Sequence, residues 1–454
     1  MLTSIKNDNI DMAFPLPAAG TVLPNPSGEI PISRYIGNPA YGNDEWERLI
    51  RLGYELRHRF SEHLALRHNF RYEQNDWTSD DLAYPSFLEE DQRTLYLSGW
   101  KAKGAYKGYR VDTALDATFE TGSVEHTLTG GVDYRWTDQG YDGRNSTNDV
   151  TLDVFTPDYA AMPPFLYGDP FGYSVTDDDI GFYFQERARL WQRVTVTLGG
   201  RYDWTSSADQ SADAFSPRVG VTYEFIDGLS AYASYSRSFQ PQWDFLDAEG
   251  QSVAPARGQN YELGLKSELL DGRLYGLLAI YNLTLKNVAT PDLSTPDPND
   301  SVVTGKQRSR GVEIEGGYRF APGWELIGAY TYVDAEVVED NTIPAGSRLW
   351  GVPKNVFNAW VKYTLQDGVL RGLGVGLGGR YNTRQEGDAT YTAPLDIPAY
   401  GVMDAAVFYR RGSVQAQVNV NNVLDHRYFV GAYNDVYVLP GEPITVRGSV
   451  SWNF

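Results

Sequence analysis

Apolar and polar residues alternate through most of this chain, and a period of two admits little besides β-strand. In the final stretch Ile444, Val446, Gly448, Val450, Trp452 and Phe454 share one parity, and Thr445, Arg447, Ser449, Ser451 and Asn453 share the other. Successive strand residues point to opposite faces, so such a segment has one apolar and one polar face. Val194, Val196, Leu198, Gly200, Tyr202 and Trp204 repeat the scheme, as do Phe357, Ala359, Val361, Tyr363 and Leu365 and then Val414, Ala416, Val418 and Val420. About 17 such strands can be counted.

Composition narrows what such strands can build. No apolar run approaches the ~18 residues of a membrane helix. The absence of cysteine excludes disulfides, thiolate metal sites and a cysteine nucleophile. A net charge of −20 argues against a nucleic-acid partner. Of the five histidines, His58, His63 and His68 straddle a turn and change parity, so they make no ligand set, and no nucleophile–base pair shares a strand face, so neither a resident metal nor an enzyme is expected.

The connections suggest a membrane barrel. Short turns such as Asp227–Gly228, Asp271–Gly272, Pro322–Gly323 and Arg411–Gly412 are expected to alternate strictly with long polar stretches, among them 75–90, 141–177 and 424–443. Tight turns on one side and large loops on the other are the mark of an antiparallel transmembrane β-barrel. Aromatic residues near strand ends, including Trp204, Trp324 and Trp452, suit the two membrane–water interfaces. An odd strand number is unusual for such barrels. The expectation is therefore an incomplete, all-β barrel at residues 45–454, preceded by an extracellular loop remnant at 1–44. Its sheet would be open or strained, or would pair its first and last strands directly.

Several segments carry a family resemblance: Leu198-Gly-Gly-Arg-Tyr-Asp-Trp204, Tyr232-Ala-Ser-Tyr-Ser-Arg-Ser-Phe239, Arg308-Ser-Arg-Gly-Val-Glu-Ile-Glu315, Val420-Asn-Asn-Val-Leu-Asp425 and the terminal Trp452-Asn-Phe454. From about residue 12 onward the chain resembles the barrel of TonB-dependent siderophore receptors of the ferrichrome and hydroxamate type. The resemblance implies a bacterial outer-membrane monomer, inserted by the barrel-assembly machinery and bathed in outer-membrane lipid. It also implies a ferric siderophore as cargo, with no resident cofactor, and import driven by TonB–ExbB–ExbD. Family barrels have about 22 strands around an N-terminal plug. The chain shows no segment matching the plug, the TonB-box or a signal peptide, so a truncated receptor, not transport-competent alone, is expected. The alternatives are a receptor for another iron chelate or haem, a plugless porin-like pore, or a non-functional fragment.

The same resemblance points to loop aromatics as cargo contacts: Phe14, Trp77, Tyr84, Tyr141 and Tyr433. A ferric hydroxamate is bulky and largely neutral, and rings supply contact area at low entropic cost while tyrosine hydroxyls add hydrogen bonds. The Arg308–Glu315 segment is expected to form lumen-facing ion pairs among Arg308, Arg310, Glu313 and Glu315.

Overall fold

The computed structural model describes residues 2–8, 15–39 and 45–452. They form β1 (Leu2–Asp8), β2 (Trp46–Arg59), β3 (Leu64–Leu88), β4 (Thr94–Thr121), β5 (Val124–Asn145), β6 (Val150–Asp153), β7 (Phe171–Leu190) and β8 (Val194–Ser207). Next come β9 (Gln210–Ile226), β10 (Leu229–Leu246), β11 (Ser252–Leu269), β12 (Leu274–Pro291), β13 (Ser301–Ala321), β14 (Trp324–Glu339), β15 (Asn355–Thr364) and β16 (Leu373–Asn382). The chain continues with β17 (Gln385–Glu386), β18 (Asp396–Ile397), β19 (Tyr400–Arg411), β20 (Val414–Asn421), β21 (Phe429–Ala432), β22 (Val438–Pro440) and β23 (Thr445–Trp452). One 3-10 turn, Tyr159–Ala161, interrupts this all-β sequence.

A single 19-stranded antiparallel sheet makes the wall. All its strands but β6, which extends the outer end of β4, follow one another as a meander from β1 to β23. Each of the seventeen expected strands is present. β1 is the addition: residues 2–8 lie inside the expected loop 1–44, yet Leu2 pairs with Leu52 and Asp8 with Trp46. The segment Leu2-Thr-Ser-Ile-Lys-Asn-Asp8 has too little alternation to announce itself. Among the described residues no ladder joins β1 to β23, so the sheet is open.

The strict alternation of long and short connections does not hold. β3 to β4, β8 to β9 and β10 to β11 turn within five residues at the long-loop end. Their strands are simply longer than expected, 25 residues in β3 and 28 in β4, whereas a membrane crossing needs about 9–11. Beyond the membrane both faces meet water, so the apolar–polar signal fades while the ladder continues. At the other end the turns are tight, and Gly228 and Gly323 sit at positive φ with no room for a Cβ beside the Glu268 and Thr364 carbonyls.

The two faces differ as the parity implies. Leu263 and Ile280 are 58% and 54% exposed on the apolar face. On the other face Tyr183 donates to Asp112 at 2.6 Å, reaching from β7 to β4 across β5, and Arg201 of β8 reaches Asp133 of β5 at 3.0 Å across β7. Side chains that bridge an intervening strand mark the concave side of a curled sheet. There Arg135 and Arg201 share a cavity with Phe239 and Trp243 of β10. The polar face therefore lines the lumen and the apolar face looks outward.

The largest fully buried side chains lie mostly in the cap of loops. Leu16, Ile30, Ile36, Leu95, Leu97, Val150, Leu152 and Val154 pack with Val436. The cluster joins the outer ends of β3, β4 and β6 to the loop before β23, so the two ends of the meander meet in the cap. Fully burying each such side chain contributes about 1.5–3 kcal/mol. Leu16 also exchanges backbone hydrogen bonds with Val438 at 2.8 and 2.9 Å. Two arginines pin segment 15–39: Arg93 reaches Ser27 and Asp153, and Arg427 pairs with Glu29 and donates to the Gly20 and Ile30 carbonyls.

Candidate functional site

One row of residues crosses the inner wall above the membrane. In register, Glu47 faces Trp77, Trp77 faces Gly104, Gly104 faces Tyr141, and Tyr141 faces Tyr173, from β2 through β3, β4 and β5 to β7. Trp77 and Tyr141 have the parity of the lumen residues Arg67 and Arg135 on their own strands. Tyr141 lies roughly 55 Å along β5 from its turn end, beyond the outward-facing Tyr109 and Trp136 that stack at 5.3 Å.

Gly104 makes the row continuous. A Cβ there would stand 2.4 Å from the Trp77 indole, so only glycine lets that ring lie across β4. Trp77 then stacks with Trp100 at 5.9 Å and meets Tyr141 at 6.5 Å. Tyr141 takes Tyr173 and Phe171 edge-on at 5.0 and 5.9 Å. Trp77, Tyr141 and Tyr173 border a cavity of about 590 Å³ that also takes in Trp46, Lys103 and Asp138, residues with the opposite parity, that of Tyr109 and Trp136. That size and mixture suit a compact ligand with apolar edges and a few hydrogen-bonding groups.

Below the row the lumen wall is a stack of ion pairs. Arg135 pairs with Asp179, which also accepts from Thr205. Arg201 holds Asp133 and Asp203, and Arg67 takes Asp116 at 2.6 Å while Thr129 donates to the same carboxylate. These groups partner one another and leave the rings as the accessible chemistry of the upper wall.

Of the five expected contacts, the structure brings Trp77 and Tyr141 together. Tyr84 stands further out on β3, opposite Ser98. Tyr433 belongs to a different group of loops: it meets Trp350 edge-on at 6.0 Å, and the Trp350 indole donates to the Ala432 carbonyl at 2.6 Å. The neighbouring Asp388 accepts from the Thr390 and Ala393 amides. Burial pushes its carboxyl up, but these hydrogen bonds outweigh burial and hold it below the usual range. Phe14 lies outside the described residues. Phe171 and Tyr173 were not expected, because 141–177 read as loop, and Trp100, in a stretch read as strand, was not singled out. Continuing the parity of β5 and β7 through that stretch would have found Tyr173.

One expected feature is overturned. Arg308 and Arg310 do not pair with Glu313 and Glu315 in the lumen. They share the parity of Val312 and Ile314, on the outward face, and pair with Glu336 and Asp334 of β14. Residues an odd number apart on a strand face opposite ways, so the two glutamates and the two arginines are on opposite sides.

A family profile described as TonB dependent receptor-like, beta-barrel, matches residues 4–423. The ferrichrome outer membrane transporter/phage receptor of Escherichia coli K12 is 34% identical over 97% of this chain and 63% of its own length. The ferrioxamine B receptor of Salmonella typhimurium is 31% identical over the same shares. The chain thus spans less than two thirds of these relatives. Among solved structures, the ferripyoverdine receptor of Pseudomonas aeruginosa bound to ferripyoverdine superposes with a TM-score of 0.80 at 22% identity, over all of this chain and 62% of that one. The siderophore receptor PiuA of Acinetobacter baumannii gives 0.78 at 21%, over 91% and 66%. At that identity the likeness concerns the fold.

Proposed function

We propose, since this chain belongs to the TonB-dependent receptor β-barrel family, that its aromatic row is a contact surface for a ferric siderophore of the hydroxamate class. The family consists of outer-membrane transporters that work with TonB, and not of enzymes. The whole protein would capture the ferric complex at the cell surface and release it inward when TonB is energised. The observation that carries the reading is the unbroken shelf Trp77–Gly104–Tyr141–Tyr173 on the concave wall.

The chemistry is direct. A ferric hydroxamate has its charges cancelled around the metal and presents methylene edges and carbonyl oxygens. Rings cover the edges without the cost of desolvating a counter-charge, and the Tyr141 and Tyr173 hydroxyls can donate to the oxygens. Tyr84 and Tyr433, on other parts of the cap, would close on the same ligand from outside, as Phe14 would from segment 1–44. Ferrichrome and ferrioxamine B, carried by the names of two relatives, are both hydroxamates and support the class.

The test is equilibrium binding of iron-labelled ferrichrome, ferrioxamine B and a ferric catecholate to outer membranes containing the protein. Saturable binding of the hydroxamates, with little of the catecholate, is expected. Saturable binding of the catecholate or of haem alone would replace the cargo, and no saturable binding of any chelate would end the receptor reading.

A further inference from the structure

Two arginines of the lumen wall stand outside its stack of ion pairs. Arg71 of β3 faces Arg110 of β4, which faces Arg135 of β5, so three arginines occupy one row. All three have lumen parity, that of Arg67, Asp112 and Asp133 on their own strands. Arg135 takes Asp179. Arg71 and Arg110 are exposed and have no ion-pair or hydrogen-bond partner among the described residues. The acids two residues along are engaged: Glu73 accepts from Arg51 at 2.7 Å and Asp112 from Tyr183 at 2.6 Å. Glu55, which faces Asn69, forms no ion pair with Arg71. Like charges directly opposite one another destabilise a sheet. With 59 acidic residues to 39 basic ones, carboxylates are not scarce in this chain. The uncompensated pair therefore calls for an acceptor from outside the wall.

The space beside them is lined for such a ligand. β10 parts from β9 beyond Ser236, which faces Arg218. Its outer half brings Phe239, Pro241 and Trp243 to a cavity of about 630 Å³ on the β4–β8 wall, whose lining includes Arg110, Arg135 and Arg201. Each aspartate of that lining already accepts a hydrogen bond: Asp133 and Asp203 from Arg201, Asp179 from Arg135, and Asp112 from Tyr183. Arg110 is the lining arginine with no acceptor of its own, and Arg71 adjoins it in register. The aromatic row lies six residues further along β3, roughly 20 Å away, so the two surfaces are separate.

We infer that this cavity binds a small aromatic carboxylate. A guanidinium group donates two parallel N–H bonds to a carboxylate, and charge on both partners strengthens them. Arg110 supplies that fork, and Arg71 adds a second cation beside it. Phe239 and Trp243 cover the ring at low entropic cost. A ferric hydroxamate, whose charges are cancelled around the metal, has no such group to offer, so this ligand is distinct from the cargo proposed above.

The test uses protein extracted from outer membranes into mild detergent and titrated calorimetrically against detergent alone. The probes are naphthoate, its uncharged match naphthamide, and acetate, an anion without rings. Saturable binding of naphthoate is expected, and naphthamide should bind at least about tenfold more weakly. The double variant Arg71→Gln, Arg110→Gln should lose a similar factor, Trp243→Ala should lose severalfold, and Arg411→Gln, at the turn end of β19, should lose none. Heat-dependent gel mobility shows which variants are folded, and unchanged naphthoate affinity in a folded double variant would place the site elsewhere. Full competition by an equal concentration of acetate would reduce the cavity to a site for any small anion and overturn the aromatic class. Equal affinity for naphthoate and naphthamide, or no saturable binding of naphthoate, in the unaltered protein would overturn the assignment whether or not the variants fold.

Discussion

Trp77 lies across Gly104 to meet Tyr141, with ring centroids 6.5 Å apart and no space for a Cβ between the indole and β4. A substitution at a residue with no side chain should therefore act on the ligand site through its neighbour. Gly104→Val should push the indole off the wall and weaken ferric-hydroxamate binding by about tenfold or more. The barrel should keep its heat-dependent gel mobility. Equilibrium binding beside that mobility assay separates a lost site from a lost fold, and unchanged affinity would mean that the ring position does not matter.

Trp77 and Tyr141 should also be energetically coupled. A double-mutant cycle of Trp77→Ala and Tyr141→Ala, read as siderophore affinity, should give a coupling of about 0.5–1.5 kcal/mol. The same cycle between Trp77 and Tyr433 should give close to zero, because Tyr433 packs on Trp350 in another group of loops.

The lumen ion pairs should contribute modestly, since water reaches them. Arg201 pairs with Asp133 and Asp203 and retains 37% side-chain exposure. Asp133→Asn leaves the second partner in place, so a loss of about 1 kcal/mol is expected. It should appear as a small drop in the temperature at which the folded gel band disappears, with siderophore affinity unchanged.

The cap should loosen in acid. Burial alone would raise the Asp153 carboxyl, but the Thr156 amide, the Arg93 guanidinium and the Phe155 amide outweigh it and hold the group well below the usual range. A depressed carboxylate adds stability that is complete above the unfolded value of about 3.9 and is lost as pH falls through the folded value. Protection of segment 15–39 from proteolysis should therefore be flat from neutral pH to about pH 5 and fall below about pH 4. Asp153→Asn should weaken that protection at neutral pH.

How much of this could be read from the sequence depended on where lipid meets the wall. Leu263 follows Glu262 and Val312 precedes Glu313 because one face is in hydrocarbon and the other in water, and every strand in that zone was legible. Above it β3, β5 and β7 keep their ladders while both faces are wet, so Asn75 to Leu88 and Phe171 to Asp177 lost the alternation and read as loops. That concealed Phe171 and Tyr173 while Trp77 and Tyr141 were found as isolated rings. The row itself is a property of register, set by long-range pairing between strands that no local pattern encodes. Segment 15–39 was opaque for another reason: Leu16, Ile30 and Ile36 are held by partners scattered from Ala83 to Val436.

The most direct test of the account reads the two indoles in the row. Tryptophan fluorescence would be followed while ferrichrome is titrated into the protein and into Trp77→Phe, Trp100→Phe and the double variant. An iron complex resting on the row should quench saturably, with much of that quenching lost in the double variant while Trp350→Phe leaves it intact. Full quenching retained in the double variant would place the siderophore elsewhere and contradict the central claim.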